Sequence, residues 1–177
     1  MTEDDRARCD PFPVPLRWHG YAGPPPLHVP AMNERRTALI SALRNAGCSD
    51  PASWADSELR EDIPQFARFL VLRDVHRLAE DVDSALAETL FDRDDLADTL
   101  QALRSAVPAA ALEAFLRAYG QALGNSFVMM VDEGPSMRGA GMPGWALMET
   151  DADDMPSGRL IQGLHEDYLD FATSVAP

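Results

Sequence analysis

The stretch DIPQFARFLVLRDVHRLAEDVDSALAETLF, residues 62–91, sets apolar side chains at Phe69, Leu72, Val75, Ala79, Val82, Leu86 and Leu90. Steps of three and four residues bring these positions onto one side of an α-helix. Asp74, Arg77, Glu80, Asp81 and Glu88 occupy the other side. Asp62 and Pro64 are suited to its start, since an acidic side chain can cap free N–H groups and proline fits a first turn. At 1.5 Å per residue the helix would run for roughly 40 Å, long enough to act as the spine around which the rest of the chain packs.

The same patterns recur on both sides of this spine. Asn33 can cap a helix to about residue 46, with Leu39, Ile40 and Leu43 on one face and Gly47 at its stop. Asp50-Pro51 opens a short helix to about Glu61. After the spine, Asp92 or Asp94 caps a helix whose Leu96, Leu100, Leu103 and Val107 are expected to face inward. Pro108 starts another. There Leu112, Phe115, Leu116, Tyr119, Leu123, Phe127 and Met130 keep helical spacing to about Asp132, although the closing FVMMV leans toward strand. Residues 134–159 are rich in glycine and acid and read as a loop-rich insertion, with residues 145–149 as a short strand. Residues 160–175 return to helical spacing, interrupted at Gly163; the part before it can instead pair with 145–149 as a small hairpin. The expected fold is therefore mainly α, a five- or six-helix bundle in a single domain over residues 33–177. Residues 1–32 hold seven prolines and are expected to form an arm without regular helix, with Trp18, Tyr21, Leu27 and Val29 available to pack it on the body.

Net charge is −14, and the excess acid is unevenly placed. Residues 50–98 contain 14 acids against 5 arginines, and residues 132–170 contain 9 acids against 2 arginines. Residues 99–131 hold one acid and two arginines. Such a field repels nucleic acid and anionic membranes and attracts basic proteins or cations. All 15 basic residues are arginine, dispersed among the acids, so no basic nucleic-acid footprint exists. No apolar run approaches the length of a membrane helix, and the acidic, proline-rich start MTEDDRARCDPFPVP lacks the pattern of a secretory signal. A cytoplasmic location is expected, where Cys9 and Cys48 would remain thiols.

Motifs for catalysis are weak. Asp94, Asp95 and Asp98 spell the DDxxD pattern by which isoprenoid synthases hold magnesium and diphosphate, yet they open a helix, where acids favour the macrodipole in any case. The stretch from Asp151 resembles an EF-hand loop only at its start: Pro156 stands where glycine is needed and Gln162 where a glutamate should close the site. His165-Glu166-Asp167 is the richest polar cluster, but no His or Glu lies at ligand spacing from it. Nucleophile elbows, phosphate loops and lysine are all absent. No catalytic residue, metal ligand or cofactor is assigned.

The segment that best fits a binding surface joins Trp145 to Glu149, Asp151, Asp153, Asp154, Glu166 and Asp167: an aromatic anchor within a rim of carboxylates. The competing reading makes the aromatics core and the acids a solvated face. In size, acidity, expected location and lack of an active site the chain resembles the small acidic immunity proteins that bacteria keep beside secreted toxins. That resemblance implies a protein that covers a basic toxin surface, and it implies no particular fold. Two alternatives stand beside it. One is a divalent-metal-dependent hydrolase of phosphate esters built on Asp94, Asp95, Asp98, Glu80 and His165. The other is a nucleic-acid mimic that inhibits a DNA-binding protein through rows of carboxylates.

Overall fold

A computed structural model describes residues 29–134 and 143–176. Seven α-helices carry most of these residues: α1 (Val29–Asn45), α2 (Pro51–Glu61), α3 (Gln65–Glu80), α4 (Val82–Asp92), α5 (Ala97–Ala106), α6 (Ala109–Glu133) and α7 (Leu164–Tyr168). Strands β1 (Met148–Thr150) and β2 (Pro156–Leu160) pair antiparallel, with Met148 opposite Leu160 and Thr150 opposite Pro156. The mainly helical class and the small hairpin match the sequence reading.

The local signals act as the chemistry of helix ends requires. Asp50 caps α2 by accepting from the Ser53 N–H at 3.2 Å, with Pro51 in the first turn. Gly47 closes α1 with φ +89°, a left-handed conformation that glycine adopts without steric cost, and the Cys48 N–H then returns to the Leu43 carbonyl at 3.0 Å.

Three expectations require correction. The spine is two helices rather than one. Asp81 leaves the helical region (φ −84°, ψ 68°), ends α3 by donating to the Arg77 carbonyl, and caps α4 by accepting from the Ser84 N–H at 3.1 Å. This cap holds the Asp81 carboxyl below the usual aspartate range, through the hydrogen bonds from Ser84. A local Asp-x-x-Ser cap has overridden an apolar repeat that runs unbroken through it. Second, residues 160–175 are not one helix. Gly163 at φ +69° separates β2 from the five-residue α7, and Phe171–Ser174 forms only a 3-10 turn. These divisions raise the count above the expected five or six. Third, α1 begins at Val29, so residues 29–32 belong to a helix instead of the proline-rich arm; Pro30 falls in the first turn, where its missing N–H is harmless. The remainder of that arm, Cys9 and most of the glycine-rich 134–144 loop lie outside the described residues.

The core gathers where α1, α2, α3, the second half of α6 and α7 meet. Leu43, Phe69, Leu72, Val128, Leu164, Tyr168 and Phe171 are fully enclosed. Phe69 is its hub, edge-on to Trp54 at 5.4 Å and tilted against Phe171 at 5.3 Å between ring centroids. The C-terminal segment returns to the α1–α2 link. Cys48 and Val175 form an isolated bridge, flanked by Ser49 N–H to Ser174 O and Ala176 N–H to Gly47 O.

Burial pushes the Cys48 thiol up, which keeps the thiolate scarce. In a Cys9→Ser background, Cys48 is therefore expected to react with a thiol reagent only as fast as the protein opens. Denaturant should raise its labelling rate by orders of magnitude. Rapid labelling of the folded protein would show that the bridge to Val175 does not hold.

Candidate functional site

α6 extends for about 37 Å at 1.5 Å per residue, and it serves two different regions. Its second half enters the core through Val128. Its first half runs antiparallel to the end of α3 and lies beside α4. A Cβ on Gly120 would sit 2.7 Å from the Ala79 carbonyl oxygen, and one on Gly124 would overlap the Tyr168 hydroxyl and lie 3.3 Å from Val75. The two glycines thus set how closely α3 and α6 approach.

Outside this contact the apolar face of α6 is open. Phe115 is 68% exposed, Tyr119 57%, Leu123 53%, Phe127 48% and Met130 52%. α4, the Asp94–Leu96 turn and α5 contain no buried residue. This overturns the inward placement expected of Leu103 and Val107, while Leu96 and Leu100 are only half-buried. Between α4 and α6 lies a groove of about 580 Å³, lined by Val75, Leu78, Val82, Leu86, Leu116, Tyr119, Leu123 and Phe127 among others, with no charged side chain in its lining.

The residues singled out from sequence separate into two kinds. Glu149 is half-buried and accepts from Arg159 at 2.9 Å and from Ser157 at 3.2 Å. Asp167 accepts from Arg68 at 2.8 Å, and Arg68 also donates to the Gly163 carbonyl and to Gln65, pinning α7 to α3. Asp151 accepts from the N–H groups of Asp153 and Met155 at 2.9 and 3.0 Å, which fixes the hairpin turn. These three carboxylates are occupied in holding the fold together. Asp153, Asp154 and Glu166 are exposed and enter no ion pair among the described residues; Asp154 takes the left-handed conformation at φ +59° that completes the turn. Trp145 is 50% exposed and its indole lies over Gly134 at the end of α6, where any Cβ would collide with it.

No catalytic constellation assembles among the described residues. His165 Nδ1 lies 2.8 Å from Asp132 Oδ2, and the same oxygen accepts the His165 backbone N–H at 2.9 Å. The Asp132 side chain is nearly inaccessible, so the pair fastens α7 to the end of α6. No hydroxyl or thiol among the described residues hydrogen-bonds the other ring nitrogen to form a triad. Asp95 is held by a two-pronged pairing with Arg93 at 2.8 Å, which keeps its carboxyl below the usual range. No group of three or more His, Cys, Asp or Glu among the described residues converges as a metal site, so Asp94, Asp95, Asp98, Glu80 and His165 are not brought together. No described helix is long and apolar enough to cross a membrane.

The groove is the feature that sequence reading missed. A signal for it was present in residues 99–131, which carry three charges in 33 positions. A helix that is apolar nearly all round is normally covered, and α6 is longer than the core that receives it. No family model, no characterised protein and no solved structure matches this chain.

Proposed function

We propose that the protein is a non-catalytic binding module that covers a basic surface on another protein, and in its most specific form an immunity protein that neutralises a cognate toxin. One observation carries this reading. The turn between β1 and β2 is fixed by its own hydrogen bonds, and it holds Asp153 and Asp154 in water on the same hairpin segment as the half-exposed Trp145. Among the described residues, eight of the eleven arginines are paired with carboxylates, including Arg159 on β2 itself, and none of them pairs with Asp153 or Asp154. A rigid, unneutralised acidic turn steers a basic partner and sets its register. An aromatic side chain on the same segment supplies apolar contact that slows release.

Affinity purification on the tagged full chain from its source cell is expected to retain a basic protein in stoichiometric amount. Raising salt should weaken that complex, because the steering charges are exposed and screened. Asp153→Asn with Asp154→Asn should lower the association rate by about tenfold at low salt. Trp145→Ala should instead speed dissociation, by about thirtyfold if it is an interface anchor. Failure to retain any partner, or a complex indifferent both to salt and to these substitutions, would overturn the proposal.

A further inference from the structure

The groove between α4 and α6 lies apart from the hairpin and needs an occupant of its own. We propose that a second copy of this chain fills it, the α4–α6 layers of two protomers packing face to face as a four-helix bundle. Three observations lead to this partner.

The first is area. Leu78, Phe115, Tyr119, Leu123, Phe127 and Met130 are each between 48% and 78% exposed. With large side chains presenting roughly 200 Å² each, these six leave about 700 Å² of apolar surface in water. The largest patch on an ordinary monomer is about 300–600 Å². A stable interface needs about 800 Å² from each partner, which the six supply nearly in full. Two helices lying side by side form one layer, and one layer cannot enclose an apolar face.

The second is charge. Two chains of −14 repel one another wherever their acids meet. The groove is the face where they do not. Its lining is uncharged, and the ions on its α6 side are matched within one protomer: Arg117 donates to Glu80 at 2.8 Å and to Glu113 at 2.6 Å, while Gln121 donates to the other Glu80 oxygen. A twofold contact over this lining can therefore form with no charge at its centre, provided that the exposed Asp83 and Glu88 of α4 stay at its rim in water. A basic partner would find its complement at the hairpin instead.

The third is where the chain enters. The first turns of α1 are held to α2 by Arg35 on Glu58 and Arg36 on Asp56, and Glu58 in turn receives the Phe66 N–H at the start of α3. The groove lies at the other end of α3, beside Ala79, about 20 Å away along a 16-residue helix. A segment leaving α1 at Val29 would have to cross that distance before entering the groove, whereas a second copy presents its own α4–α6 face directly.

Sedimentation of the full chain over micromolar concentrations is expected to show twice the protomer mass of 19.4 kDa. The dimer should tighten as salt rises, since screening removes the repulsion between acidic protomers. A complex with a basic partner would respond with the opposite sign. Tyr119→Glu with Leu123→Glu places like charges across the contact and should raise the dimer dissociation constant by about a hundredfold or more. Both side chains are more than half exposed, so the helical circular dichroism of the protomer should be unchanged. The hairpin variant Asp153→Asn with Asp154→Asn should leave the dimer intact, which separates this contact from the one proposed for the basic partner. A chain that sediments as monomer at every concentration and salt would overturn the inference. So would a dimer that survives both glutamates, or one that forms only after residues 1–28 are removed, since that result would place the chain's own segment in the groove.

Discussion

Glu58→Ala is expected to destabilise the protein by about 3 kcal/mol, measured by urea unfolding. Glu58 is only 3% exposed, yet it is charged. It accepts from Phe66 N–H at 2.9 Å in the first turn of α3, from Arg159 of β2 at 3.3 Å and from Arg35 of α1 at 3.4 Å. One carboxylate on α2 thus ties together three other elements. Its removal leaves the Arg159 guanidinium, which is three-quarters buried and whose Nε already lacks a partner, with Glu149 as its one remaining carboxylate among the described residues, and it frees an N–H at a helix start. Breaking a buried pair from one side costs about 3–5 kcal/mol. The lower end applies because Arg35 is exposed enough to recover water. Glu58→Gln keeps the volume and an oxygen for Phe66 N–H, so it should lose about half as much. Equal losses from both substitutions would mean that packing, rather than the buried charge, is what Glu58 contributes.

This hub also marks the boundary of what the sequence discloses. Apolar spacing, proline at first turns and an Asp-Pro start are local, and they located α2, α6 and the hairpin within a few residues. The partners of Glu58 lie 8, 23 and 101 residues away, and nothing in the order of residues pairs them. Likewise the carboxylates of Glu149, Asp151 and Asp167 look equivalent to those of Asp153, Asp154 and Glu166 until the arginines and N–H groups facing them are known. Asp81 shows the opposite failure. Its cap was readable in the pattern Asp-x-x-Ser, but an apolar repeat continuing through it suggested a single helix. The open face of α6 was hidden for another reason: periodicity tells which residues share a face and cannot say whether anything covers it.

Gly124→Ala is expected to destabilise by about 3 kcal/mol, the upper part of the usual range for overpacking. The new methyl would overlap the Tyr168 hydroxyl and lie 2.8 Å from its Cζ, and Tyr168, 2% exposed in the centre of the core, has no free direction in which to move. Its hydroxyl is also buried without a hydrogen-bond partner, a defect that itself costs about 1–3 kcal/mol. Tyr168→Phe should therefore be neutral or stabilising. In the double variant the hydroxyl is gone but the ring carbon remains, so about half of the Gly124→Ala loss should return, a coupling of about 1–2 kcal/mol. Strict additivity would show that the methyl is accommodated by separating α3 from α6, and that Tyr168 is not the obstacle. The same residue predicts an alkaline effect. Burial raises the Tyr168 phenol above its ordinary value, with the negative charge of Glu80 adding to it. The folded protein holds that proton more tightly than the unfolded chain, so this contribution is fully present below about pH 10 and is lost as pH climbs through the raised value. Tyr168→Phe should flatten that alkaline fall, and a parallel decline in both proteins would remove Tyr168 as its cause.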